Sequence, residues 1–181
     1  AVPMAKGPVE LIVYDLHVSA EQFFFSDQIL PDRQSAIPLL KKEIKGMQNV
    51  AIAFPDEGSL KRFEEDFKGY PLILCYKHRQ GSERKVIIVE GDPWGKNVVI
   101  VDDLSLTAGT MVECAKVMRT GEAESVSGFV THGVFHHQSW KRITPLLFDN
   151  FWVTDSYPTA FSLEGVARFK ILSLTHDLFR V

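Results

Sequence analysis

The stretch "VVIVDDLSLTAGT", residues Val98–Thr110, runs from an unbroken apolar segment through two adjacent aspartates into a loop of small residues. The β-branched run Val98–Val101, bounded by polar residues, predicts a strand buried on both faces, as in a parallel sheet covered by helices. Neighbouring carboxylates repel each other, so Asp102 and Asp103 at the end of that strand need a reason beyond stopping it. Ala108 and Gly109 let backbone N–H groups approach an anion closely, and a helix beginning at Gly109 adds its positive N-terminal end. Thr107 and Thr110 bring hydroxyl donors to the same anion, while Asp102 and Asp103 are acceptors suited to vicinal hydroxyls. One phosphate and two neighbouring hydroxyls describe a sugar phosphate. The same residues also fit a plain helix start, with carboxylates favourable to its dipole.

Working outward, short β-rich runs alternate with amphipathic stretches. The strands expected are Val9–Tyr14, Asn49–Phe54, Pro71–Tyr76, Lys85–Val89, Asn97–Val101, Val126–Val130, Phe151–Thr154 and Phe169–Leu172. Helices are expected at Ile37–Lys45, Gly58–Lys68, Gly109–Arg119 and Gln138–Ile143; the third carries Met111, Cys114, Ala115 and Met118 on one face. The fold class is α/β: an open, mainly parallel sheet flanked by helices, with "KHRQGSERK" as a flexible loop or β-ribbon. Several strands run into polar residues: Asp15 and His17, Asp56, Lys77 and Arg79, Asp102 and Asp103, Thr131 and His132. In open α/β sheets ligands bind outside the carboxyl ends of the strands, so these groups are expected on one edge.

The bulk properties exclude other classes. At 181 residues, 45% hydrophobic and 24% charged, the chain reads as one globular domain, 1–181. A net charge of −3 gives no reason to expect nucleic acid or an anionic membrane as partner. The longest apolar runs, such as "LIVY" and "VVIV", are far short of a membrane span, and no signal-peptide pattern opens the chain. Cys75 and Cys114 lie in apolar segments and read as reduced core thiols, which places the protein in the cytoplasm. His136 and His137 read as surface, and Trp94, Trp140 and Trp152 as core or interface. His132 reads as organising its strand end.

The loop motif resembles the phosphoribosyl-diphosphate (PRPP) motif of type I phosphoribosyltransferases and of the ribose-phosphate pyrophosphokinases, the PRPP synthetases. Other stretches resemble the synthetases in particular: "VYDLH" at Val13–His17, "FPDEGSLKRF" at Phe54–Phe63, "YKHR" at Tyr76–Arg79 and "VTHGVF" at Val130–Phe135. They follow in order over about Val9 to Phe135, and the wording is closest to the plant-type enzymes. The resemblance implies transfer of a diphosphoryl group from Mg-ATP to the anomeric hydroxyl of ribose 5-phosphate, giving PRPP and AMP. It implies Lys77 and Arg79 as catalytic cations over the diphosphate. Asp102, Asp103, Leu106, Thr107, Ala108, Gly109 and Thr110 would form the ribose 5-phosphate site. His17 and Asp56, with Asp15 and Asp27 as further candidates, would serve the Mg²⁺ cofactor. Leu106 stands where the family carries Asp or another polar residue.

Family members are longer, with two similar domains and an oligomeric assembly. This chain resembles the second domain, with residues 1–30 from the preceding one, and its full-length form is expected to be a homo-oligomer. Two other readings remain open: a phosphoribosyltransferase consuming PRPP, and a non-catalytic synthetase-like regulatory subunit.

Overall fold

In the computed structural model, which describes residues 11–16, 31–80 and 83–175 (the side chains of 78–80 and 83–85 lie outside that set), Val98–Val101 occupy the central strand of the main sheet. The strands are β1 Leu11–Tyr14, β2 Pro31–Gln34, β3 Val50–Phe54, β4 Leu72–Gln80, β5 Glu83–Glu90, β6 Asn97–Ser105, β7 Ser125–Gly133, β8 Asn150–Thr154 and β9 Phe169–Leu172. The helices are α1 Ile37–Ile44, α2 Glu57–Phe63 and α3 Gly109–Thr120. Among the described residues the main sheet has seven strands in the order β5-β4-β3-β6-β7-β8-β9. All its pairs are parallel except the antiparallel β4–β5 hairpin, so most of the strands point their carboxyl ends the same way.

The alternation of side chains along β6 explains why both faces need cover. Val98 and Ile100 pack with Met111, Cys114, Ala115 and Met118 of α3. Val99 and Val101 pack with Ile37, Leu40 and Ile44 of α1 and with Phe63 at the end of α2. The expected α3 stripe is therefore core, and the helix ends where Gly121 follows Arg119 and Thr120. Cys75 and Cys114 are free and buried, their sulfurs 3.3 Å apart across the β4–α3 contact. Trp152 lies in the core on the α1 face and Trp140 packs against the core on the α3 face, whereas Trp94 is exposed.

Several expectations are corrected. β6 does not stop at Val101: its pairing with β3 ends at Ile100, but β7 accompanies it through Asp102↔Val130 and Ser105↔Gly133. The two aspartates thus lie within a strand that projects past β3, not after its end. β4 runs past Tyr76 and pairs with β5 as far as Gln80 and Glu83, which bears out the β-ribbon expected of "KHRQGSERK". The leading strand is described over Leu11–Tyr14, Val9 and Glu10 lying outside the described residues, and it pairs with β2 in a two-stranded sheet apart from the main one. The helix expected over Gly58–Lys68 begins at Glu57 and tightens into a 3₁₀ turn at Glu64–Phe67. The one expected over Gln138–Ile143 is instead a pair of 3₁₀ turns across His136–Arg142, because His137 and Gln138 adopt left-handed backbone that no α-helix can contain. Among the described residues, no helix is long and apolar enough to cross a membrane.

Candidate functional site

A cleft of about 340 Å³ opens where β3, β4 and β6 end and α2 and α3 begin. Its walls carry Asp56, Ser59 and Arg62 from one side, Lys77 from β4, and the whole run Asp102–Met111 from the other. The repulsion between the two aspartates is offset from α2. Arg62 Nη1 lies 2.8 Å from Asp103 Oδ1, with the Asp103 side chain only 3% exposed. Ser59 Oγ donates to Asp102 Oδ1 at 2.8 Å, and the Asp103 amide donates to the same oxygen at 3.0 Å. Burial, followed by Asp103 and Asp56, pushes the Asp102 carboxyl up to about 8. At neutral pH the dyad is therefore split: Asp102 keeps its proton while Asp103 is paired with a guanidinium.

Asp56 caps α2, accepting from the Ser59 amide at 3.1 Å, and Ser59 Oγ, whose one hydrogen is shared with Asp102, lies 3.2 Å from the same oxygen. Lys77 Nζ reaches Asp56 Oδ2 at 3.3 Å. Burial raises the Asp56 carboxyl, but the Ser59 amide and Lys77 outweigh it and hold Asp56 below its ordinary value.

The loop between β6 and α3 is tied from behind. Val134 N and Phe135 N both donate to Ser105 O at 3.1 Å, and His136 N donates to Leu106 O at 2.8 Å. Arg142 Nη1 donates to Thr107 O at 3.1 Å, and Ala108 N to Ser105 Oγ at 3.2 Å. Ala108, at φ +56°, turns the chain through left-handed backbone into α3. The first-turn amides of Gly109, Thr110 and Met111 precede the first intrahelical bond, which Val112 N makes to Ala108 O. They border the same cleft as the dyad, with Thr107 and Thr110 beside them. Hydroxyl acceptors and anion donors thus share one small space.

No family model matches the chain. It is 42% identical over 98% of its length to "Ribose-phosphate pyrophosphokinase 3, mitochondrial" of Spinacia oleracea, covering 47% of that protein. It is likewise 42% identical over 98% of its length to "Ribose-phosphate pyrophosphokinase 4" of Arabidopsis thaliana, covering 56% of it. The chain is homologous to about half of a ribose-phosphate pyrophosphokinase. Among solved structures, the phosphoribosylpyrophosphate synthetase of Mycobacterium smegmatis matches at TM-score 0.78 and 25% identity, over 93% of this chain and 56% of that one. The chain therefore spans about half the length of the relatives it matches.

The cleft gathers most of the residues singled out from sequence: Asp56, Lys77, Asp102, Asp103 and Leu106–Thr110. Asp15 is placed differently. Its Oδ2 accepts from Ala36 N at 3.0 Å and from Thr131 Oγ1 at 2.7 Å, so it ties the end of β1 to α1 and β7. His17, Asp27 and the Arg79 side chain lie outside the described residues. Among those described, no group of three or more His, Cys, Asp or Glu residues is arranged to hold a metal by itself. His132 bridges Ser156 Oγ at 2.9 Å and Tyr14 O at 3.0 Å, which fixes its strand end.

Sequence reasoning missed Ser59, Arg62 and Arg142. The first two had a signal: Ser59 stands three residues after the cap Asp56, and Arg62 three after Ser59, a spacing that puts all three on one side of a short helix.

Proposed function

We propose that this chain carries the ribose 5-phosphate side of a ribose-phosphate diphosphokinase site, in a protein that makes PRPP and AMP from ATP and ribose 5-phosphate. The observation that carries the reading is the juxtaposition of the Asp102–Asp103 dyad with the first-turn amides of α3, which have no backbone partner among the described residues. The 5-phosphate sits on the amides of Gly109–Met111 with the hydroxyls of Thr107 and Thr110. The dyad takes the vicinal ribose hydroxyls and so fixes which way the anomeric hydroxyl points. That oxygen bonds to the β-phosphorus of ATP while the bond from the same phosphorus to the α-phosphate bridging oxygen breaks, releasing AMP. Phosphoryl chemistry of this kind rests on positioning and charge neutralisation. Lys77, with Arg79 farther along β4, neutralises charge on the moving diphosphate; to do so Lys77 exchanges Asp56 for phosphate oxygens.

The donor set fits a hard cation. Asp56, Asp102 and Asp103 supply only oxygen ligands to the cleft, and Mg²⁺ is held by one or two carboxylates together with substrate phosphates and water. When bound, Mg²⁺ supplies neutralisation of the polyphosphate charge. Asp56 would hold it, with Asp102 and Asp103 as further oxygen donors, and its charge would favour the ionised form of Asp102. We propose that the chain is the second half of a two-domain protein, with residues 1–30 belonging to the preceding domain. The full-length form is read as a homo-oligomer in the cytosol or another reducing compartment, on the two free core thiols.

Leu106 favours a second reading. Its side chain is 47% exposed at the mouth of the cleft, where a polar residue would bind sugar phosphate, and this fits a regulatory, non-catalytic subunit. The test is AMP and PRPP formation by the full-length protein from ATP and ribose 5-phosphate, followed by ³¹P NMR. Stoichiometric AMP and PRPP support the diphosphokinase. Binding of ribose 5-phosphate without AMP supports the regulatory reading, and absence of binding refutes both.

A further inference from the structure

Arg142 is the least expected charge around the loop. It stands on the 3₁₀ turns that follow β7, exposed, with Nη1 3.1 Å from the Thr107 carbonyl oxygen. The same nitrogen lies 3.4 Å from the position a Cβ on Gly109 would take, so the guanidinium rests directly against the start of α3. A cation there is at the unfavourable end of the helix dipole. The first turn of α3 contains no acidic residue to compensate it. One carbonyl bond uses one of five N–H donors. Neighbouring Lys141 is directed elsewhere, its Nζ 5.7 Å over the Trp140 ring.

The backbone that delivers Arg142 is also unusual. Phe135, His137 and Gln138 all have positive φ, at 47°, 54° and 58°. Strain of this kind persists where the surroundings fix it, and here the segment is fixed by His136 N on Leu106 O and by Phe135 N on Ser105 O. The same segment therefore grips the phosphate loop at Ser105, Leu106 and Thr107 and sets a guanidinium against it. The Gly109–Met111 amides border the cleft, and the Arg142 guanidinium lies against the same helical turn, which holds no acidic residue.

We infer that Arg142 serves the 5-phosphate site through its charge. It holds the Thr107 carbonyl away from the anion and adds its charge to the cradle formed by Gly109–Met111. This rests on the reading of that loop as a phosphate site and assigns to it a residue outside the loop motif.

Charge and hydrogen bond are separable by substitution. Arg142→Lys keeps the charge, Arg142→Gln keeps a donor for Thr107 O, and Arg142→Met keeps neither. The measurement is calorimetric titration of the chain with ribose 5-phosphate, with thermal unfolding of each variant recorded without ligand. The expected result is an affinity about tenfold weaker for Arg142→Met and for Arg142→Gln, the scale of a screened charge-assisted contact. Arg142→Lys should stay within a few-fold of the unaltered chain, and all variants should unfold within a few degrees of it. Full affinity in Arg142→Gln would mean that only the loop bond matters, and would overturn the inference. So would full affinity in Arg142→Met, or an Arg142→Lys as weak as Arg142→Met. If the unaltered chain binds no ribose 5-phosphate at all, the phosphate-site reading itself fails.

Discussion

Replacing Asp102 by asparagine swaps a buried acid for its neutral isostere, and the structure sets both sign and size of the effect. The ordinary carboxyl value of 3.8 is pushed to about 8 in the fold by burial, by Asp103 and by Asp56. Below pH 3.8 both folded and unfolded chains are protonated and Asp102 costs nothing. As pH rises from there to about 8, the unfolded chain ionises while the folded one does not. Stability therefore falls with pH across that window and levels off above it. The slope is about 1.4 kcal/mol per pH unit, so at pH 7 the loss reaches roughly 4 kcal/mol. The asparagine oxygen can still accept from Ser59 Oγ and the Asp103 amide, the contacts now at 2.8 and 3.0 Å. Asp102→Asn should thus raise the unfolding free energy by up to about 4 kcal/mol at pH 7 and by less than about 1 kcal/mol at pH 4. The assay is urea denaturation from pH 4 to 9 in chelating buffer without sugar phosphate, reading the midpoint at constant m. Parallel pH profiles for the two proteins, or a variant less stable at pH 8, would refute the reasoning. The same variant should bind ribose 5-phosphate more weakly, as expected where a strained functional group is relieved.

Arg62→Met removes the guanidinium from a carboxylate that is almost fully buried, and should destabilise the chain by about 3 kcal/mol in urea unfolding; adding Asp103→Asn should recover much of that loss. Lys77→Ala and Arg79→Ala, made in the full-length protein, should lower kcat by orders of magnitude while ribose 5-phosphate affinity changes little; a change confined to KM would assign them to ground-state binding. Leu106→Asp replaces a half-exposed apolar side chain at the cleft mouth and should tighten ribose 5-phosphate binding by about 1 kcal/mol by calorimetry, without conferring turnover on the isolated chain.

The central sheet and α3 were legible because their signals are local. Val98–Val101 announce a strand covered on both faces, and Met111, Cys114, Ala115 and Met118 announce a helix stripe. Asp102, Asp103 and the small-residue loop are adjacent in sequence, so their sharing one cleft could be expected for the same reason. What was hidden depends on partners distant in sequence. β6 runs on to Ser105 only because β7 continues beside it, and nothing in "DDLS" shows that. β2, "PDRQ", has no apolar residue to mark it and exists by pairing with β1. Ser59 meets Asp102 across 43 residues and Arg142 meets Thr107 across 35, distances over which spacing carries no information. The turns at His136–Arg142 were misread as a helix because their composition is helical while their left-handed residues are set by the grip on the loop.

The central claim is that one sugar phosphate engages the carboxylate dyad and the α3 amides together. Backbone amide chemical shifts of the ¹⁵N-labelled chain, titrated with ribose 5-phosphate, test it most directly. The account predicts that the amides of Asp102 and Asp103 and those of Thr107–Met111 shift along one binding curve with a single Kd, while inorganic phosphate moves only the loop set. Loop shifts without any response at the dyad, or two curves with different Kd values, would contradict it.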